Sequence, residues 1–163
     1  MGDKLFMYND SMIMDLGINE ARRTMKENIG GPFGAVIVKD GQVITIASNH
    51  VLAYNDPTAH AEITAIRQAC EKLGTYDLSG CELYATGYPC PMCMGAIIWA
   101  NIKKIYVSGL AEDAEEIGFR DDYIYRFIEK GCDDTDVLDI EFMDRKPAKM
   151  LYKEYAEMQK VIY

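Results

Sequence analysis

No part of this sequence is apolar for the roughly 20 consecutive residues that a membrane-spanning helix needs, so no membrane partner is expected. The opening Met1-Gly2-Asp3-Lys4 lacks a basic region followed by an apolar segment, so no leader is expected either, and the expected compartment is the cytoplasm. A disulfide framework is missing as well: the five cysteines are an odd number and suit a reducing compartment. Positive charge is in short supply. Lys and Arg number 17 against 26 Asp and Glu, giving a net charge of −9, and Arg22-Arg23 and Lys103-Lys104 are isolated pairs rather than a cluster. Nucleic-acid binders draw much of their affinity from Lys and Arg on phosphates, so no nucleic-acid partner is expected.

What is present reads as one domain over residues 1–163, long enough for a hydrophobic core. Met14, Ile18, Ala21 and Met25 recur at helical spacing and predict an amphipathic helix over about Asp10 to Glu27, closed by Gly30-Gly31-Pro32. Phe33 to Val38 reads as a buried strand, Asp40-Gly41 as a two-residue hairpin turn, and Val43 to Ala47 as the antiparallel return. The glycine pair is no phosphate cradle, because it precedes a strand instead of following one and opening a helix. A helix is predicted over about Pro57 to Leu73 with Asp56 as its N-cap, then a strand at Cys81 to Ala85, a helix from Cys90 through Trp99, and a strand at Lys104 to Val107. Strands alternating with helices imply a three-layer α/β/α sandwich on a mixed sheet. Beyond lie a charged helix face at Glu112 to Glu116, a short helix around Tyr123 to Lys130, a strand near Val137 to Met143 and a last helix from about Ala148 to Met158. The tail Val161-Ile162-Tyr163 is too apolar for a frayed end and is expected to dock.

Two short stretches carry the chemistry: His60-Ala61-Glu62, and Pro89-Cys90-Pro91-Met92-Cys93 some thirty residues later. One imidazole and two thiolates fill three corners of a tetrahedral zinc shell and leave the fourth open, as a catalytic zinc requires. A helix starting at Cys90 puts both sulfurs at its first turn, where free N–H groups and the helix dipole favour thiolates. Pro91 fits such a start. Glu62 is two residues from a ligand and is the candidate proton carrier. Taken singly, a C-x-x-C pair also suits redox chemistry or half of a structural zinc site, and a lone His is usually packed. Their conjunction points to catalysis, and H-x-E followed by P-C-x-x-C is the signature of zinc-dependent nucleobase deaminases. Cys70, Cys81 and Cys132 read as packed thiols. Asn49, just past the second strand, is either turn chemistry or a substrate hydrogen bond.

The resemblance is specific over Gly30 to Gly41, Asn55 to Glu62, Pro89 to Cys93, and Gly118-Phe119 with Asp121, Tyr123, Ile124 and Tyr125. These stretches are similar to the bacterial guanine deaminases of the cytidine deaminase superfamily, over most of the chain. The resemblance implies a cytidine deaminase-like fold, Zn2+ held by His60, Cys90 and Cys93, and proton transfer by Glu62. It further implies a pocket for a small heterocyclic base, with Asn49 hydrogen-bonded to it, Phe33 and Trp99 near the ring, Asp121 reading a polar edge, and Ala61 and Tyr88 beside the ligands. The family forms homodimers in which the C-terminal segment, about 145–163 here, is exchanged, so Tyr163 would close the partner's site. The implied reaction is hydrolysis of guanine at C2 to xanthine and ammonia. One departure stands out: Ala85-Thr86-Gly87-Tyr88 replaces the family's Thr-Ser-Cys-Glu, so an aromatic phenol takes the place of an acid. That raises the alternative of cytosine or another amino-substituted heterocycle as substrate. Deamination of tRNA adenosine is opposed by the acidic charge, and an inactive zinc-binding homologue is opposed by the intact Glu62.

Overall fold

The computed structural model describes residues 8–163. Helix α1, Asp10–Lys26, begins where the Asn9 side chain accepts the Met12 N–H at 2.9 Å, a standard N-cap. Its buried face is Ile13, Gly17, Ala21 and Thr24, one position off the expected stripe, and Met25 is exposed. Backbone contact decides this. A Cβ on Gly34 would fall 2.1 Å from the Gly17 carbonyl oxygen, so the helix lies directly on the first strand and presents small residues to it.

Strands β1, Gly34–Lys39, and β2, Gln42–Ser48, pair antiparallel through Asp40 and Gly41. Those two residues have φ of 50° and 74°, as the twist-compatible hairpin turn demands. Strand β3, Cys81–Ala85, pairs antiparallel with β1, and β4, Lys104–Val107, pairs parallel with β3, giving the order β2-β1-β3-β4. The parallel pair requires a crossover, and helix α4, Pro91–Trp99, supplies it. Alternation along the strands separates two cores. Val36, Val38 and Tyr84 meet Ile13 of α1, while Ala35, Ile37, Leu83 and Ala85 pack with Ala61, Ala65 and Ala69 of helix α3, Ala61–Leu73, and with Ile97 of α4. The expected α/β/α sandwich with a mixed sheet is present.

Two boundaries differ from expectation. Helix α3 starts at Ala61, not Pro57, because the Asp56 carboxylate accepts the Thr58 N–H and hydroxyl at 2.8 and 2.7 Å and closes a turn of its own. A short helix α2, Val51–Tyr54, precedes that turn and was not foreseen. Helix α5, Ala111–Glu116, carries the charge run, and the Leu110 N–H donates to Asp113 at its start.

The chain divides into two compact units at Asp121/Asp122. The second, Asp122–Tyr163, holds helices α6, Asp122–Glu129, and α7, Arg145–Glu157. No strand forms over Val137–Met143, which corrects the sequence expectation. The Val137 and Leu138 N–H groups both turn back to the Asp134 carbonyl, and the following residues join no ladder. Helix α7 starts ahead of the expected Ala148 because Pro147 is tolerated in a first turn.

Candidate metal centre

Helices α3 and α4 both end their N-termini at the same place, and each places an unusual residue at its N-cap. His60 caps α3 and Cys90 caps α4, and neither side chain makes the usual capping hydrogen bond. A Ser or Asp at either position would stabilise the helix by about 1 kcal/mol. That stabilisation is forgone, and both side chains turn to each other instead. His60 Nδ1 lies 3.6 Å from Cys90 Sγ and 3.5 Å from Cys93 Sγ, and the three donor atoms all lie within 4.8 Å of one another.

These distances test whether a zinc ion fits. With Zn–S of about 2.3 Å and Zn–N of 2.0–2.1 Å, a nitrogen and a sulfur on a tetrahedral ion stand about 3.6 Å apart. The observed separations match this edge length, so the three residues fit zinc. Pro91 at the first helical position supports the start of α4, and Cys93 is fully buried beneath it.

The local electrostatics agree. The Cys90 thiol is pushed down to about 4, first by a hydrogen bond from Cys93 and then by His60, against the effect of burial. Cys93 is held up as the thiol partner, because one sulfur of a touching pair carries the charge and burial disfavours a second. The hydrogen bond to Cys90 also raises the pKa of His60, with smaller contributions from Glu62 and Asp121, although burial acts the other way. Glu62 occupies the first turn of α3, is 7% exposed, and has its carboxyl pKa raised by burial above all. Its carboxyl lies close enough to Cys93 for each to act on the other's ionisation, which puts it beside the donor group.

The other expected residues divide. Asn49 is buried, and its Oδ1 accepts the Gly31 N–H at 3.3 Å and the Val51 N–H at 3.1 Å. Its own N–H donates to the Phe33 carbonyl, and the His50 N–H donates to the Ala59 carbonyl, so this loop is tied to the segment entering α3. Phe33 is half-buried and meets Phe119 edge-on at 5.0 Å. Asp121 acts on His60 through charge, and Ala61 spends its side chain in the core under β1 and β2. Tyr88 is 47% exposed, two residues before Cys90. Trp99 is not brought to the donors: it ends α4, 75% exposed, about 9 Å along the axis from Cys93. Tyr163 lies in the second unit and is exposed there.

Sequence reasoning missed Thr86, whose hydroxyl accepts the Gly34 N–H at 2.9 Å and pins the turn leading to Pro89 against β1. No local pattern announces a bond between residues 52 positions apart. A groove of about 350 Å³ between α1 and α5 has Phe33, Thr86 and Gly87 in its wall but none of the donor residues. Donor chemistry, not cavity size, marks the site.

Comparison with known proteins follows the same outline. Residues 7–109 match the cytidine and deoxycytidylate deaminase zinc-binding region. Guanine deaminase of Bacillus subtilis (strain 168) is 46% identical over 129 residues, 79% of this chain and 83% of that protein. A tRNA-specific adenosine deaminase of Aquifex aeolicus (strain VF5) is 44% identical over 97 residues, 60% of this chain and 64% of that protein. Among solved structures, guanine deaminase from Bacillus subtilis superposes with a TM-score of 0.82 at 40% identity, covering 96% of this chain and 98% of that one. Guanine deaminase from Nitrosomonas europaea gives a TM-score of 0.66 at 29% identity, covering 74% and 79%.

Proposed function

The chain belongs to the cytidine and deoxycytidylate deaminase zinc-binding family, and from that premise we propose that it is a guanine deaminase, converting guanine and water to xanthine and ammonia. His60 Nδ1, Cys90 Sγ and Cys93 Sγ hold the zinc. Bound there, zinc brings the pKa of water toward neutrality and so supplies a nucleophile. Glu62 would accept one proton of the attacking water on its carboxylate and pass it to a ring nitrogen, then take the second from the hydroxyl added at C2 and give it to the departing amine, leaving the oxo group of xanthine. The raised pKa of its buried carboxyl suits a group that must hold a proton before it passes it on. Asn49 hydrogen-bonds the base, Phe33 with Phe119 flanks the ring, and Asp121 reads a polar edge. Tyr88, two residues before Cys90, is a further proposed contact, whereas the side chain of Ala61 is spent in the core and Trp99 stands away from the donors.

One observation carries the substrate: the reach of the likeness. Similarity to the tRNA-specific adenosine deaminase covers 60% of this chain, whereas the superposition on guanine deaminase covers 96% and takes in the second unit. A net charge of −9 also suits a free base better than a polynucleotide. The C-terminal segment, about 145–163, is exchanged between two copies of the one-domain chain, and Tyr163 closes the partner's site. Support comes from the apolar side chains that this segment leaves exposed, Leu151, Tyr152 and Ile162 among them. Among the described residues no helix is long and apolar enough to cross a membrane, and with five free cysteines a cytoplasmic setting is the natural one.

Tyr88 supports a second reading, in which a pocket with a phenol beside the ligands acts on cytosine or another amino-substituted heterocycle. Ammonia release by the zinc-loaded protein from guanine, cytosine, adenine, their nucleosides, amino-triazines and pterins decides between the two. Guanine is expected to dominate. If guanine is inert and another heterocycle reacts, Tyr88 has reset the pocket. Silence across the panel would leave a zinc-binding protein without catalysis.

A further inference from the structure

The Gly30-Gly31 pair has no part in the chemistry described above, and it precedes β1 instead of opening a helix, so it is not an anion cradle. Its neighbour Asn49 explains it. Asn49 is 5% exposed, and its Oδ1 faces two backbone donors, the Gly31 N–H at 3.3 Å and the Val51 N–H at 3.1 Å. Both of those groups can only donate, so the carboxamide has a single satisfied orientation, with oxygen toward them and nitrogen away. The Nδ2 group has no hydrogen-bond partner among the described residues. Gly30 sets the closeness of the packing. A Cβ there would fall 2.2 Å from the Asn49 carbonyl oxygen and 2.3 Å from Oδ1, a separation that only glycine permits. On its other side the loop is tied to the metal centre, since the His50 N–H donates to Ala59, next to His60, at 2.9 Å.

We propose that Gly30 and Gly31 are positioning residues that lock the Asn49 carboxamide, so that it meets the substrate with its NH2 group alone. Position 49 then recognises a hydrogen-bond acceptor of the base, an oxo group or an unprotonated ring nitrogen, and rejects a donor there. This inference rests on reading the site as that of a nucleobase deaminase. It gives the glycine pair a role in specificity that is separate from the turn it makes.

The test measures guanine binding by calorimetry to zinc-loaded protein carrying Glu62→Gln, in which no turnover intervenes. In that background Asn49→Ala deletes the donor, whereas Asn49→Asp keeps the shape and both backbone bonds but turns an oxygen toward the base. Asn49→Ala is expected to weaken binding about tenfold, and Asn49→Asp by about a further threefold or more, with zinc content unchanged in both; Asn49→Ala also lowers the melting temperature, because the Gly31 and Val51 N–H groups lose their acceptor. Binding by Asn49→Asp that equals or exceeds that of Asn49→Ala would overturn the lock, because the amide oxygen would then be the group that faces the base. Gly30→Ala should cost about tenfold when Asn49 is present and severalfold less in the Asn49→Ala background, where the clash with the residue 49 carbonyl oxygen remains but no carboxamide is left to misplace. An equal loss in both backgrounds would show that Gly30 acts elsewhere. Should Gly30→Ala fail to fold, the order of the two Asn49 variants decides alone. If guanine neither binds nor releases ammonia with the wild-type protein, the substrate reading fails and takes the inference with it. If guanine binds and is turned over while the Asn49 order is reversed, only the lock fails.

Discussion

A carboxyl enclosed by protein and set against sulfur ionises reluctantly, and Glu62 is such a group. The same burial keeps it from solvent, which suits the proton transfer proposed for it. Glu62→Gln keeps the volume and the hydrogen-bonding edge but cannot take up a proton. Ammonia release should therefore fall by about 10²–10⁴-fold while the bound zinc, measured by atomic absorption, stays at the wild-type amount. Activity within about tenfold of wild type would remove Glu62 from proton transfer. At this scale the ligands were legible in the sequence, because few chemistries need an imidazole, a carboxylate and two thiols at these spacings. The amide orientation of Asn49 was legible only in part. Its bond from the Val51 N–H, two positions on, is the turn chemistry that an Asn in a loop announces, but its bond from the Gly31 N–H comes from 18 positions away, and no pattern around Asn49 encodes that contact.

Among the elements, the start of α3 moved because a polar group found a partner that helix propensity does not count. Asp56 closes its own turn with Thr58, so α3 begins later, and His60 becomes an N-cap that turns to Cys90 and Cys93 instead of capping. The apolar stripe of α1 misled by one position because the helix rests on the backbone of β1, where Gly17 and Gly34 outrank the methionines. The strands themselves were readable, since β-branched runs and an Asp-Gly turn leave little choice. Close helix-on-strand contact makes Gly34 a sensitive position. Gly34→Ala places a methyl group 2.1 Å from the Gly17 carbonyl oxygen, so α1 has to lift from the sheet. The expected loss is about 1–3 kcal/mol, the range for overpacking, read from urea unfolding with zinc bound. A change below about 0.5 kcal/mol would mean that α1 rides loosely on the sheet.

For the molecule as a whole, the segment from Asp122 onward presents a problem of burial. It leaves Leu138, Phe142, Leu151 and Ile162 exposed, and of its large apolar side chains Phe127 is the one that counts as buried. Forty or so residues cannot bury a core of their own, so an apolar surface of this kind calls for a partner. The expected strand at Val137 to Met143 shows the limit of sequence reading here, because alternation can specify a strand but cannot supply the edge it pairs with. If two copies exchange this segment, activity can be restored between two dead chains. A chain with Glu62→Gln keeps its tail, and a chain lacking Tyr163 keeps its Glu62; each alone should be poorly active while holding zinc. Mixed in equal amounts under subunit exchange, half of the dimers carry one chain of each kind, and one of the two sites in such a dimer has both Glu62 and a tail donated from across the dimer. Activity should return to about a quarter of wild type, with a sedimenting species of twice the 18.4 kDa chain. A tail that serves its own chain gives no recovery, because each chain would still lack either the carboxylate or the closing aromatic. The ratio of recovered to parental activity therefore reports which copy the tail completes.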